Sequence, residues 1–362
     1  MKMKPAAVLI AGLLAAPAFA QSNVTIYGRA DYGLMSRSGD SGTTDFNGKT
    51  EFASGIAGPS RIGFRGSEEI GDGLKAIFEI EYGTAIDQGT TTSVQWGNRH
   101  SWVGLSGNFG TLIGGRIDGL RNNGLYGKYD PFKNVTLGNF GQMTPQLDRY
   151  DNSVMYISPS FSGLSGSVAY STQVRGQEGG TPPPGDTHGG NDGDNRMLAA
   201  LVNYANGPLS LSASYETVHT QGLDDSRLWF ATFGASYDFG VVKVSALYDK
   251  LESGDDNTLY PGQAQRDWMV GLSAPVGNSI DLRAMYGKTW YDEFNRRKAD
   301  QLDASKWAVG ADYKLSKRTN FYADYGSIDN DANGFNTIGP LSTSYRNGYG
   351  TRGFDVGLAH KF

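Results

Sequence analysis

The sequence predicts an all-β fold: a 16-stranded antiparallel transmembrane β-barrel with short turns at one end and long loops at the other. Three observations predict it. Apolar and polar residues alternate with a period of two along most of the chain. The connections between these runs alternate strictly, short then long, as in outer-membrane barrels. Beyond residue 20 no apolar stretch reaches the roughly 20 residues that a spanning helix needs. Composition agrees. Glycine makes up 51 of 362 residues and aromatics 12%, without a Gly-X-Y period, which excludes collagen. Aromatic and β-branched residues run from end to end, which excludes disorder. The mean hydropathy of −0.41 suits a barrel in which only alternate strand residues face lipid.

Residues 1–20 read as a cleaved secretory signal. Lys2 and Lys4 precede an apolar run from Ala6 to Ala16, and Ala18-Phe19-Ala20 places small residues at the −3 and −1 positions of a cleavage site. Residues 21–362 then form a single exported domain. Losing two lysines takes the formal net charge from −5 to −7, which argues against a nucleic-acid partner. The absence of cysteine removes disulfide scaffolds, thiol nucleophiles and cysteine metal sites together.

The strands follow in order. Val24, Ile26, Gly28, Ala30, Tyr32 and Leu34 oppose Asn23, Thr25, Tyr27, Arg29 and Asp31. Ala76, Phe78, Ile80 and Tyr82 oppose Lys75, Glu79 and Glu81. The same alternation sets Leu209, Leu211, Ala213 and Tyr215 against serines, and Trp307, Val309, Ala311 and Tyr313 against Lys306, Gly310 and Asp312. It closes the chain with Phe354, Val356 and Leu358. Tight turns stand at 71–73, 107–110, 159–163, 206–208, 239–240, 275–278 and 316–318. Longer polar loops interleave at 37–58, 87–97, 116–150, 176–194, 220–226, 253–265, 292–303 and 330–350. Counting runs between them gives 16 strands, with 22–36 and 351–362 expected to pair and close the barrel, because an open sheet edge in lipid leaves backbone polar groups unsatisfied.

Other architectures fit less well. A β-sandwich chain of this length would need separate domains and a linker, and a propeller or solenoid would show a fixed-length repeat; neither is present. The alternatives are an outer-membrane barrel enzyme of lipase or protease type and an exported β-rich binding protein. The four histidines, His100, His188, His219 and His360, are widely spaced, with no His-Glu-x-x-His and no Gly-x-Ser-x-Gly turn. His188 stands among Asp186, Asp192 and Asp194, but without the ligand spacing or distal Glu of a calcium loop. No catalytic residue, cofactor or metal is therefore expected.

Ordered segments carry a resemblance to a known family. Asn23-Val24-Thr25-Ile26-Tyr27-Gly28-Arg29, then Ser60 to Glu69 and Gly73 to Glu81, resemble the opening strands of general porins of the β-proteobacterial and neisserial type. Asn98 to Leu105, Phe109-Gly110-Thr111, Arg149 to Val154 and the terminal Phe362 continue the match, while His360 departs from the aromatic more usual there. The resemblance implies a homotrimer of 16-stranded barrels in the outer membrane, in contact with its lipids and lipopolysaccharide, through which small hydrophilic solutes and ions diffuse passively. It also implies that the third long loop, 116–150, folds inward and narrows the channel.

Candidate constriction residues come from both sources. Strand parity turns Arg29, Arg61, Arg65 and Lys75 into the lumen with Asp31, Glu79 and Glu81. The loop adds Asp118 and Asp130 among its acids. By resemblance, Arg61, Arg65, Arg99 and Arg149 match the basic wall that faces the loop. A basic ring in a narrow, low-dielectric passage favours anions. Surface acids such as Asp40, Asp224, Asp225, Asp255 and Asp256 stand in the long loops and are screened beyond about 8 Å at physiological ionic strength, so a modest anion preference is expected despite the negative net charge.

Overall fold

A computed structural model describes residues 23–40, 48–91, 98–175, 194–299, 301–339 and 350–362. The leader, residues 1–20, lies outside the described residues, as does the segment 176–193. The chain forms a closed barrel of sixteen antiparallel strands. In order they are β1 (Asn23–Ser38), β2 (Lys49–Ser54 continued by Arg61–Gly71), β3 (Leu74–Ala85) and β4 (Thr90–Thr91 continued by Ser101–Gly107). Then come β5 (Gly110–Asp118), β6 (Arg149–Ile157), β7 (Leu164–Ser171), β8 (Asn195–Asn206), β9 (Leu209–Thr220) and β10 (Leu228–Asp238). The last six are β11 (Lys243–Ser253), β12 (Ala264–Val276), β13 (Ile280–Phe294), β14 (Arg297–Lys298 continued by Ala304–Lys314), β15 (Thr319–Asn330) and β16 (Arg352–Lys361).

Each strand pairs with its neighbours in sequence, and β1 pairs with β16 from Arg29↔Lys361 to Ser38↔Arg352 to close the ring. The two ends of the chain pair as expected, over residues 29–38 and 352–361. Residues 23–27 of β1 pair with β2, and Gly28 bonds in addition to the N–H and C=O of Phe362 at 3.1 Å each. Closure leaves no strand edge facing lipid, the condition that a membrane imposes on any sheet. Among the described residues no helix is long and apolar enough to cross a membrane; the strands do so.

The period of two becomes two surfaces. On β10, Phe233 and Tyr237 are exposed on the outer face while Phe230, Thr232 and Ser236 are buried inside. On β14, Trp307, Val309 and Tyr313 face outward and Lys306 and Ala308 are buried, as the alternation predicts. Ring pairs such as Trp268–Tyr286 at 5.7 Å and Trp307–Tyr325 at 5.3 Å join outward aromatics of adjacent strands. The short turns use left-handed glycines, for example Gly207 at φ 54° and Gly277 at φ 62°, where a Cβ would be strained.

The barrel is not hollow throughout. Between β5 and β6 the chain turns inward over residues 119–148, shorter at both ends than expected, since Arg116, Asp118 and Arg149 belong to the strands. Tyr126, Tyr129, Phe132, Leu137 and Phe140 of this loop are fully or nearly fully buried. They rest on wall glycines. At Gly234, Gly271 and Gly287 an added Cβ would overlap Tyr129, Pro131 and Phe140, so the missing side chains make a trough for the loop. Part of the glycine excess thus seats the loop, beyond easing turns and strand curvature.

Candidate functional site

Polar anchors hold the 119–148 loop against the β9–β16 half of the wall. The Arg121 backbone N–H bonds to Glu216 on β9 at 2.9 Å, and its guanidinium donates to Thr232 on β10 and Asp249 on β11 at 3.0 Å each. Pro145 O accepts another Arg121 bond at 2.7 Å, which ties the two arms of the loop together. On β12, Gln265 donates to Met143 O at 2.8 Å. At the far side Lys306 donates to Leu137 O at 2.8 Å and also to Asn139 O, while the Leu137 N–H bonds to Asp355 on β16 at 2.7 Å. Every one of these wall groups is buried, and the loop supplies part of its hydrogen bonding.

Opposite the loop, β1–β6 present a different wall, and a cavity of about 470 Å³ separates the two. Its cationic lining is Arg29, Arg61, Arg99, Lys133 and Arg149; its carboxylates are Glu81, Asp118 and Asp148. Five cations against three carboxylates leave an excess of two positive charges before His100 is considered.

The local geometry follows from a broken strand. Between the two pieces of β2, residues 55–60 leave the sheet and bind Asp31: Gly55 N–H bonds to Asp31 O at 2.9 Å, Ala57 N–H to its carboxylate at 3.1 Å, and Asp31 N–H to Ser60 Oγ at 3.0 Å. This fold-in brings Ala57 O within 2.6 Å of the Arg29 guanidinium, fixing Arg29 at the cavity rim. Thr136 of the loop then bonds to Ile56 O at 2.9 Å, so the break also carries the loop tip.

The arginines are held by carboxylates from neighbouring strands. Glu81 pairs with Arg61 at 3.0 Å through one oxygen and accepts from Arg99 through the other. Arg149 pairs with Asp118 at 3.2 Å. His100 bridges the same group, with Nδ1 3.0 Å from Asp118 and Nε2 3.2 Å from Glu79. Tyr27 donates to Glu79 and stacks under Arg65, 5.1 Å from the ring centre.

Of the residues expected from the sequence, Arg61, Arg99, Arg149, Glu81 and Asp118 meet at the cavity. Arg65 and Glu79 join through Tyr27 and His100. Lys75 stands apart: it pairs with Glu69 at 2.6 Å, near the β2–β3 turn, so parity placed its side correctly in the lumen-facing series but not its height. Asp130 also stands apart. It is buried inside the loop, where its two oxygens accept the Phe132 and Phe140 N–H groups at 2.9 Å each. Sequence reasoning did not assign His100 to the group. Its only local cue is adjacency to Arg99, in a stretch outside regular strand where parity gives no side.

Among the described residues no hydroxyl apart from Tyr27 approaches His100. Ser226 does lie 3.1 Å from His219 Nδ1, but its hydroxyl bonds to Thr220 O and Leu223 O, closing a turn, and among the described residues no carboxylate bonds to His219.

The comparisons with known proteins agree with this architecture. A family model described as Gram-negative porin matches residues 6–333. An outer membrane porin protein of Bordetella pertussis is 31% identical over 89% of this chain and 92% of its own length. Outer membrane porin protein 32 of Delftia acidovorans is 31% identical over 99% of this chain and 100% of its own. Among solved structures, an anion-selective porin from Comamonas acidovorans superposes with a TM-score of 0.74 at 28% identity, covering 94% of this chain and 100% of that one.

Proposed function

The chain belongs to the Gram-negative porin family and is an outer-membrane channel for passive diffusion of small hydrophilic solutes, and we propose that its narrowest passage is the cavity between the β1–β6 wall and the 119–148 loop. The observation that carries this is the lining: five cations and three carboxylates around one cavity. Charges in a narrow passage between low-dielectric walls concentrate counter-ions, so the excess favours anions, modestly because each carboxylate offsets a neighbour. Arg29, Arg61, Arg99, Arg149 and Lys133 carry the preference in this reading. The carboxylates of Glu81 and Asp118 hold the arginines extended.

Residues 1–20 are, in the same reading, an export leader, and residues 21–362 the working barrel. The barrels assemble as a homotrimer, surrounded by outer-membrane lipid and lipopolysaccharide. Exposed Val24, Ile26, Phe52 and Val103 on the outer faces of β1, β2 and β4 support apolar packing of either kind there.

Reversal potential tests the selectivity. Purified protein in a planar bilayer across a potassium chloride gradient should give a potential on the chloride side, weakening as salt is raised and the Debye length shrinks. A preference for potassium at low salt would overturn the charge assignment while leaving the channel itself in place.

A further inference from the structure

We propose that Glu79, Glu81 and His100 form a binding site for a divalent transition-metal ion of zinc's class in the channel wall. One ligand atom from each lies within 4.8 Å of the others. Tetrahedral zinc, with bonds of about 2.0–2.2 Å, sets its donors about 3.4 Å apart. Glu79 and His100 Nε2 already stand at that spacing, 3.2 Å. Glu81, whose nearer oxygen is 3.9 Å from Nδ1 of the same ring, completes the set by turning away from Arg61 and Arg99. The group is no mere acidic cluster, because its centre is an imidazole.

The second layer fits too. Asp118 sits 3.0 Å from His100 Nδ1, the position from which a carboxylate fixes the tautomer and presents Nε2 to a metal. Tyr27, 3.4 Å from the same Nε2, donates to the Glu79 oxygen that faces it and so orients that ligand. The surrounding arginines sharpen the choice of ion. Arg61 and Arg99 already occupy Glu81, so a hard, strongly hydrated cation finds little net attraction. Magnesium and calcium prefer oxygen donors and gain nothing from imidazole, whereas zinc bonds to it well. Binding replaces at most one imidazole proton with two positive charges. It should therefore narrow the passage and make its field more anion-attracting.

The test uses zinc chloride on the purified channel, in two arms. Calorimetric titration of the detergent-solubilised protein reads binding without relying on conductance. Planar bilayers read the consequence: a reduced unit current with the reversal potential moved further towards chloride, reversed by EDTA and not reproduced by magnesium chloride. His100→Asn should raise the zinc concentration for half effect at least tenfold, and Glu79→Gln likewise. Asp118→Asn, which keeps all three ligands, should raise it about tenfold through lost orientation; it covers the case of an unfolded His100 variant. His219→Asn with His360→Asn should respond as the unmodified protein does. Absence of zinc binding by calorimetry, or an undiminished zinc response in the His100 and Asp118 variants, would overturn the site. Neither result would touch the channel reading, which rests on conductance without zinc.

Discussion

Single charges decide little at the cavity unless their partners are counted. Arg61 and Arg99 share Glu81, and Arg149 shares Asp118 with His100, so each cation is already half compensated. Removing two cations changes the balance more than their number suggests. Arg61→Ala with Arg99→Ala leaves three cations against three carboxylates and strips Glu81 of both partners. The reversal potential of the double variant should move towards potassium, most strongly at low salt, and an unchanged potential would remove these residues from the selectivity role. Lys133 sits opposite on a strained stretch: Lys133, Asn134 and Thr136 have φ of 56°, 59° and 65°, a left-handed conformation costly for side-chain-bearing residues. The bonds from Asn134 to Gln146 at 3.0 Å and from Thr136 to Ile56 O hold it there. Lys133→Glu should therefore reverse a charge in a fixed position, shifting the potential in the same direction as the double arginine variant.

At the scale of elements the 119–148 loop is as firmly built as a strand. Its anchor at Arg121 is an ion pair with Asp249 in which each side chain is only 1% exposed, with Glu216 on the Arg121 backbone beside it. Replacing one partner of a buried pair typically costs about 3–5 kcal/mol, because the other charge stays behind uncompensated. Arg121→Met should release this arm of the loop from β9–β11, seen in single-channel records as a larger, noisier unit current. Gly271→Val attacks the same seat by volume, since its side chain would enter the space of Pro131. If both variants keep the unmodified current, the loop does not set the narrow section. Lys306 at the opposite anchor bonds to two loop carbonyls, a use of lysine that strand alternation places inward without saying what it meets.

Over the whole molecule the barrel closes on itself, so the sheet has no edge to pair with another chain and any assembly proceeds through outer side chains. The proposed homotrimer would be held by those side chains alone. Unheated protein on a detergent gel should migrate as a trimer and collapse to a monomer on boiling; migration as a monomer after every mild extraction would refute the assembly. The end of the chain contributes to closure directly, through the paired Gly28–Phe362 bonds and the Phe362 ring lying where a Gly28 side chain would be.

The strand count, the side of each strand that faces lipid and the existence of a long third loop were legible in the sequence by itself. They rest on local periodicity, and lipid enforces that periodicity across the hydrocarbon belt, where an outward residue is apolar whatever the rest of the fold does. Trp307 against Lys306 is readable for that reason. Height along the barrel and the partner of each inward side chain are set by register, strand breaks and the path of the loop, which join residues far apart in the chain. Lys75 and Glu79 share one face of β3, yet one ends beside Glu69 and the other beside His100. Asp130 was visible as a loop acid but turns inward to bond its own loop's backbone. His100 meets Glu79 and Asp118 only because β3, β4 and β5 are neighbours in the closed sheet, a proximity that no spacing within the sequence expresses.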